Sequence, residues 1–504
     1  MSALGLMSLT ASRAESRKSD LLIQLCWIGL AVGILARIFS GITAPLWFDE
    51  TFSAAIATQE NVELLARWML TELSGPAYYT MVFCWEKIAG DSNVALRFPS
   101  LTISIATPLL IMWKGHSDRA VRMMWMAIIA LSGIAIETAT QARPYSLMLF
   151  LGTAQAIAFL RLMDGVTLRN AFIWTGISAL AVLTHYHAAI ISGIEGIAFI
   201  AVHRLKAART WPALLPLFPM AAWMAVHLPF IASFARNDVA WYNLLDWNVL
   251  WLVPSLITGW AWPGVILFFW MFVTLGWDMI RTFRWKREWP YSIGETALMG
   301  SSLAATAIVI GAGFIFPSFT PRYLLPFLPA LVAGIVFWIG RLGTQSVIAA
   351  VMLLCLMTGT TIGMLKTNIV KPEDDFRYGF TFQSPSAWIA AHGAARLVML
   401  WDNPTAALDD PDGHLASVGS YFLRRAGHPI TTIVPPWPRN GDPNATLLDA
   451  TENRRDTAIL WAYDTSVPGT RGAVHPWVIP QLAPDWHCRD FGKRPIVVLA
   501  CVHR

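Results

Sequence analysis

The chain has 504 residues, of which 55% are hydrophobic and only 14% charged, where soluble domains carry about 25% charged residues. A mean hydropathy of +0.50 leaves too little polar surface to cover a soluble fold, so apolar side chains must face lipid. The net charge of +5 lies wholly in residues 1–365, because residues 366–504 carry 14 basic and 14 acidic side chains. The basic residues fall in short clusters between apolar runs, which is the positive-inside pattern of membrane proteins and excludes a nucleic-acid footprint.

At the N-terminus Arg13, Arg17 and Lys18 precede an apolar run at 21–41 with no small-residue cleavage site. This reads as a signal anchor with a cytoplasmic N-terminus. Further apolar runs follow at 99–113, 125–136, 147–160, 171–184, 188–202, 211–230, 265–277, 298–316, 324–339 and 347–364. The clusters Lys114/Arg119/Arg122, Arg161/Arg169, Arg204/Lys206/Arg209, Arg281/Arg284/Lys286/Arg287 and then Arg341 separate alternate pairs of runs. The expected fold is therefore a polytopic α-helical membrane protein of about eleven full spans, with up to thirteen apolar helices. Its C-terminal part lies outside, in the periplasm of a bacterial inner-membrane protein. Segment 76–88 is short for a crossing, which takes about 20 residues. If it crossed, the Lys114 cluster would fall on the wrong side, so it is expected to be tilted or re-entrant.

Loop 42–73 carries Asp49, Glu50, Glu60, Glu63 and Glu72 against Arg67. Its Phe52/Ala55/Ile56 and Leu64/Leu65/Trp68 spacings predict short helices lying along the membrane surface. A second outside loop, 236–248, holds the interfacial aromatics Trp241, Tyr242 and Trp247. A third, 317–323, holds Arg322 and Tyr323. Residues 366–504 alternate strand-like runs (397–401, 431–434, 458–461, 496–499) with helix-like ones (386–392, 416–425), which predicts an α/β domain. Cys488 and Cys501 flank a Gly492-Lys493-Arg494 turn, so they either pair across a hairpin in an oxidising compartment or remain two buried thiols. Five cysteines in the whole chain are too few for a disulfide scaffold.

The chemistry-bearing residues cluster at the outer ends of the runs. Asp49 and Glu50 are either a general base with an acidic neighbour or the cap and first turn of a helix. Arg143 in Gln141-Ala142-Arg143-Pro144-Tyr145, with Glu137 one turn earlier, either grips a phosphate or anchors the interface. His185 and His187 stand two apart around Tyr186, a spacing that does not share one helix face and argues against a metal pair. Arg322 opens a later run, and Arg97, which opens another, reads as structural. The reading places no ionisable group at the span centres, which argues against a flippase or transporter of lipid-linked sugars. A non-catalytic assembly protein is the other alternative. Groups gathered at the outer rim suit an enzyme whose substrate has a phosphate head and a lipid tail.

Trp47-Phe48-Asp49-Glu50 resembles the acidic motif in the first outside loop of type C glycosyltransferases, particularly protein O-mannosyltransferases and bacterial aminoarabinose lipid A transferases. Gly75-Pro76-Ala77-Tyr78-Tyr79 resembles their "HPPLYY", Ala95-Leu96-Arg97-Phe98-Pro99-Ser100 their "LRLPS", and 141–145 their "EARPY". Leu183-Thr184-His185-Tyr186 resembles "LTHY", and Pro321-Arg322-Tyr323-Leu324-Leu325-Pro326 the late "RYLLP". Glu373-Asp374-Asp375-Phe376-Arg377 is similar to an element of bacterial members. The resemblance implies inverting transfer of a sugar from a polyprenyl-phosphate donor to a lipid, glycan or protein acceptor. It implies Asp49 as base with Glu50 beside it, and Arg143, Tyr145, His185, Arg322 and Tyr323 around the donor phosphate. Tyr78, Tyr79, Glu137, Gln141 and Tyr186 are expected in the substrate pocket. Ser74-Gly75 stands where the family has His, and Gln141 where it has Glu. No cofactor is implied with certainty, and a divalent metal stays open.

Overall fold

A computed structural model describes residues 3–236, 245–259, 261–286, 288–316, 319–341, 344–402, 413–435, 449–451, 454–464, 486–493 and 496–503. The helices up to the middle of the chain are α1 (Ala3–Ile38), α2 (Phe48–Ala57), α3 (Val62–Thr71), α4 (Pro76–Ala89), α5 (Asn93–Lys114), α6 (Arg119–Leu131), α7 (Gly133–Glu137), α8 (Tyr145–Asp164), α9 (Leu168–Thr184) and α10 (Ala188–His203). Leu217–Arg236, Val249–Thr258, Ala261–Trp285, Ile293–Ile315, Leu328–Gly340 and Thr344–Val370 follow. Among the described residues, seven helices are long and apolar enough to cross a membrane, and α9, α10 and Leu328–Gly340 are shorter apolar helices. All eleven expected runs are carried by helices, and the protein is a multi-pass membrane protein. Trp241 and Tyr242 lie outside the described residues, whereas Trp247 is exposed beside Phe314.

The bundle has two chemically distinct ends. At one, Glu295 lies 3.6 Å from both His116 and Arg341, and Arg161 donates to the Lys114 carbonyl. Basic residues of three separate clusters are thus gathered there. At the other end sits the sheet domain. Segment 76–88 is resolved by this geometry. The first residue before α4, Gly75, donates to the Thr184 carbonyl, and just past its other end the Asp91 carbonyl accepts from Arg425 of the sheet domain. Both ends of α4 are therefore on the sheet side, and between loop 42–73 and the Lys114 cluster α5 alone is the crossing helix.

The run at 125–136 is broken where one helix was expected: α6 ends at Leu131 and α7 starts at Gly133. The buried guanidinium of Arg37 explains the break. It donates to the carbonyls of Ile129 (2.9 Å), Ala130 and Gly33 and to Ser104 Oγ (3.0 Å), satisfying backbone groups that a helix end leaves open. Gly33 permits the approach, because a Cβ there would lie 2.2 Å from the Ala130 oxygen.

The expectation of polar-free span centres is corrected by α10. Glu195 is fully buried near its middle, and its Oε2 accepts from Gln155 on α8 and Trp174 on α9, each at 2.8 Å. The apolar composition of α10 hid a single acid that ties three helices together. Arg37 is likewise an ionisable group inside an apolar run.

The C-terminal part is an α/β unit. Strands β1 (Arg396–Asp402), β2 (Thr431–Ile433), β3 (Thr457–Asp464), β4 (Trp486–Lys493) and β5 (Ile496–His503) form one sheet in the order β2-β1-β3-β5-β4. β1 pairs in parallel with β2 and β3, and β5 runs antiparallel to β3 and β4. Leu397, Met399, Ala458, Leu460, Val498 and Ala500 face one core, shared with Phe48, Ile56, Trp68 and Tyr79 of the bundle; Val398, Leu400, Ile459 and Leu499 face another. Burial on both faces explains the near-continuous apolar strands. Cys488 stands opposite Cys501 in the β4–β5 ladder, and the two are joined by a disulfide.

Candidate active site at the sheet-side end

The loop 42–73 folds as expected into two short helices, and its position is fixed by a buried acid. Glu50, at the third position of α2, is fully buried. Its Oε1 accepts from Arg97 Nε (2.8 Å) and from the Ala142 amide (2.7 Å), and its Oε2 from Arg97 Nη2 (2.5 Å) and the Trp47 amide (3.2 Å). Arg97 also donates to the carbonyls of Ile42, Ala44 and Pro45. Glu50, expected at the reacting atoms with Asp49, is thus withdrawn from them; every lone pair it can spare is used to lock the loop. The resemblance that placed two adjacent acids together could not separate them, because the side chains of consecutive residues at the start of a helix point in different directions.

Asp49 faces the other way and is 27% exposed. Its Oδ2 lies 3.5 Å from Arg322 Nη1. The Arg322 guanidinium stands 5.6 Å from the ring of Trp47 and 5.4 Å from that of Tyr145, and its Nε donates to Thr320 Oγ1 at 3.3 Å. Cation–π contact with these two rings helps hold it in place. Arg143, set by its neighbour Ala142 on Glu50, sends Nη1 to the Asp49 carbonyl (3.3 Å), Tyr79 Oη (3.2 Å) and Ser53 Oγ (3.5 Å) and lies 3.7 Å from Glu72. The Tyr323 ring packs against both His185 (4.8 Å) and His187 (4.5 Å), whose rings are 5.0 Å from each other. Burial pushes both imidazoles down, that of His185 well below the ordinary histidine range with His187, Arg143 and Arg322 adding to it, and that of His187 to about 4. They are neutral at physiological pH.

Five of the expected donor-phosphate residues and Asp49 therefore meet in one place. Tyr79 touches Arg143, while Tyr78 is buried behind it on Ser100 Oγ at 3.0 Å. Glu137 is exposed into a concave surround, where burial raises its pKa against the opposing pull of Arg322 and Arg377. Gln141 donates to the Glu137 carbonyl at 3.3 Å. Tyr186 points elsewhere: its hydroxyl meets His227 Nδ1 and Trp223 Nε1 on the helix Leu217–Arg236. A lone sequence motif gives no direction for its tyrosine, and His185 and Tyr186 take different partners: His185 meets Tyr323, Tyr186 meets His227 and Trp223.

Sequence reasoning missed Trp47, Glu72 and His187 as site groups, and did not give Asp375 and Arg377 a place there. Arg377 donates to Thr140 Oγ1 (3.1 Å) and the Ser40 carbonyl and is paired with Asp375, which brings the start of the sheet domain to the rim of the site. The only available signal was the short acidic-aromatic-arginine element at 373–377. Three buried polar atoms around the site have no partner among the described residues: Trp47 Nε1, Gln141 Oε1 and Arg143 Nε. Buried polar groups are ordinarily satisfied, so two donors and an acceptor are left for a ligand. A metal fits less well. Among the described residues no three His, Cys, Asp or Glu side chains converge as ligands, and Asp49 and Glu72 at the site lie instead beside Arg322 and Arg143.

No family model and no curated protein matches the sequence. The fold does match solved structures. ArnT from Cupriavidus metallidurans in the apo state superposes with a TM-score of 0.54 at 12% identity, covering 94% of this chain and 97% of that one. The same protein bound to undecaprenyl phosphate gives 0.53 at 13%, with the same coverage. At this level of identity the likeness shows that this chain shares the fold of these structures. The Archaeoglobus fulgidus oligosaccharyltransferase in the apo form gives 0.50 at 10% identity over 88% of this chain and 69% of that one.

Proposed function

We propose that the protein is an integral-membrane inverting glycosyltransferase that moves a sugar from a polyprenyl-phosphate donor to a hydroxyl on a lipid, glycan or protein acceptor. The observation that carries the reading is Asp49: a partly exposed carboxylate on a locked helix start, beside two arginines and three unsatisfied polar atoms. In this reaction the acceptor oxygen attacks the anomeric carbon from the face opposite the phosphate. The carbon–oxygen bond to phosphate breaks, the phosphate leaves with the bonding electrons, and Asp49 takes the acceptor's proton. Arg143 and Arg322 neutralise the departing phosphate, which is a good leaving group and requires no strong acid. Neutral His185 and Tyr323 shape the pocket without adding charge. The reading also orients the chain, with the basic clusters of residues 114–122, 161 and 341 in the cytoplasm of a bacterial inner membrane and the sheet domain in the periplasm.

The test is Asp49→Asn in membranes from a strain lacking the gene. Loss of the glycan or glycolipid product at unchanged expression and folding supports the base; normal transfer sinks it. A flippase would keep working.

A further inference from the structure

We infer that Arg322 is shared between the base and the donor. In the resting protein it holds the Asp49 carboxylate, and an incoming lipid phosphate takes it over, so that Asp49 is released only once the donor is in place. The inference rests on the transferase reading and adds an order of events to it.

Three observations carry it. The pair is loose and reachable: Arg322 and Asp49 are 3.5 Å apart and 22% and 27% exposed, unlike the buried Glu50–Arg97 pair at 2.5 Å with both side chains at 0%. The guanidinium stands over the rings of Trp47 and Tyr145, and its Nε is tethered to Thr320 Oγ1, so Nη1 can pass from one anion to another while these contacts keep the group in place. Finally, Arg143 lies near enough for the two cations to repel each other, and its own Nε has no partner among the described residues. One anion bridging them relieves that repulsion and gains two charge-assisted contacts. Asp49 offers Arg143 only its backbone carbonyl.

The groups facing Arg322 are Asp49, Tyr145, Tyr323, Arg143 and Glu137. Asp49 is the acid within ion-pair reach. Its carboxylate therefore competes with a phosphate for one cation and repels the phosphate as well. Once Arg322 has moved, the carboxylate has lost this ion pair, which is when the acceptor hydroxyl has to be deprotonated. Donor binding precedes acceptor activation, and a free donor pocket keeps the base quenched.

The experiment is direct binding of undecaprenyl phosphate to the purified full chain in detergent, with undecaprenol as the phosphate-free control. Asp49→Asn, which keeps shape and removes charge, is expected to bind undecaprenyl phosphate at least about three-fold more tightly than wild type, since an exposed pair of this kind is worth at most a few-fold. Undecaprenol is expected to bind both proteins alike. In D49N/R322Q the gain disappears. Equal or weaker binding by Asp49→Asn overturns the inference. So does a gain that persists in the double variant, which would make it mere removal of a negative charge, and so does an equal gain for undecaprenol. Undecaprenyl phosphate failing to bind wild type at all would overturn the transferase reading with it. Matching thermal unfolding of wild type and both variants checks that the fold is unchanged.

Discussion

Glu50 Oε1 accepts hydrogen bonds from both Arg97 on α5 and the Ala142 amide beside Arg143. One buried carboxylate thus fixes Asp49, its sequence neighbour, and Arg143, the neighbour of its partner, in a common frame. In the proposed reaction Glu50 positions these groups rather than reacting. Glu50→Gln or Arg97→Met leaves a buried charge unpaired, and we expect a loss of about 3–5 kcal/mol. Thermal unfolding should separate these variants from Asp49→Asn: they lose stability and activity together, whereas Asp49→Asn loses activity alone.

The backbone around Gly75 leaves no room for a side chain. A Cβ at Gly75 would lie 1.9 Å from the Leu183 oxygen, and the Gly75 amide donates to Thr184. The contact joins the tyrosine element at 75–79 to the histidine element at 183–187. Gly75→Ala is expected to cost about 1–3 kcal/mol as an overpacking substitution and to lower sugar transfer, because it pushes the start of α4, which carries Tyr79, away from the end of α9. Normal activity with normal stability would show that the two elements are not coupled.

The histidines give a pH dependence with a definite sign. The folded pKa of His187 is about 4 because of burial, and that of His185 is also lowered by burial, so below pH 6.5 the unfolded chain takes up protons that the folded chain does not. Stability conferred by keeping these rings neutral is complete above about pH 6.5 and is lost progressively as the pH falls toward 4. Thermal midpoints measured across this window should fall with acidification, and His187→Gln should flatten the curve. A slope unchanged in that variant would rule His187 out as its source.

Glu195 supplies the acceptor for Gln155 and Trp174 inside the bundle. Glu195→Gln keeps an acceptor oxygen and the volume, and it should change stability by about 1 kcal/mol or less. Glu195→Leu orphans two buried donors and should cost about 2–4 kcal/mol. Equal effects of the two substitutions, measured by unfolding in detergent, would show that packing rather than the polar node holds α8, α9 and α10 together.

Much of the fold was legible because apolar run length and the placement of basic clusters respond to the bilayer directly. The strands at 397–401 and 458–461 were legible for a similar reason, since central strands buried on both faces are continuous apolar runs. β4 was not, because Trp486-His487-Cys488-Arg489-Asp490 is polar on an edge strand and carries no such signature. At the site, Asp49, Arg143, His185 and Arg322 could be gathered from motif order. Glu50 was misjudged and Tyr186 misplaced, since a motif lists residues but not the direction of their side chains.

By itself the sequence determined that this chain lies in lipid, which end of each helix is basic, and that its candidate site residues stand at the ends of apolar runs, because hydrophobic length and charge are local properties. Only the tertiary structure decided that α4 stays on one side, that Glu50 locks and Asp49 faces outward, and that Arg322 lies between Trp47 and Tyr145. Those outcomes depend on contacts between segments up to hundreds of residues apart, which no local pattern encodes.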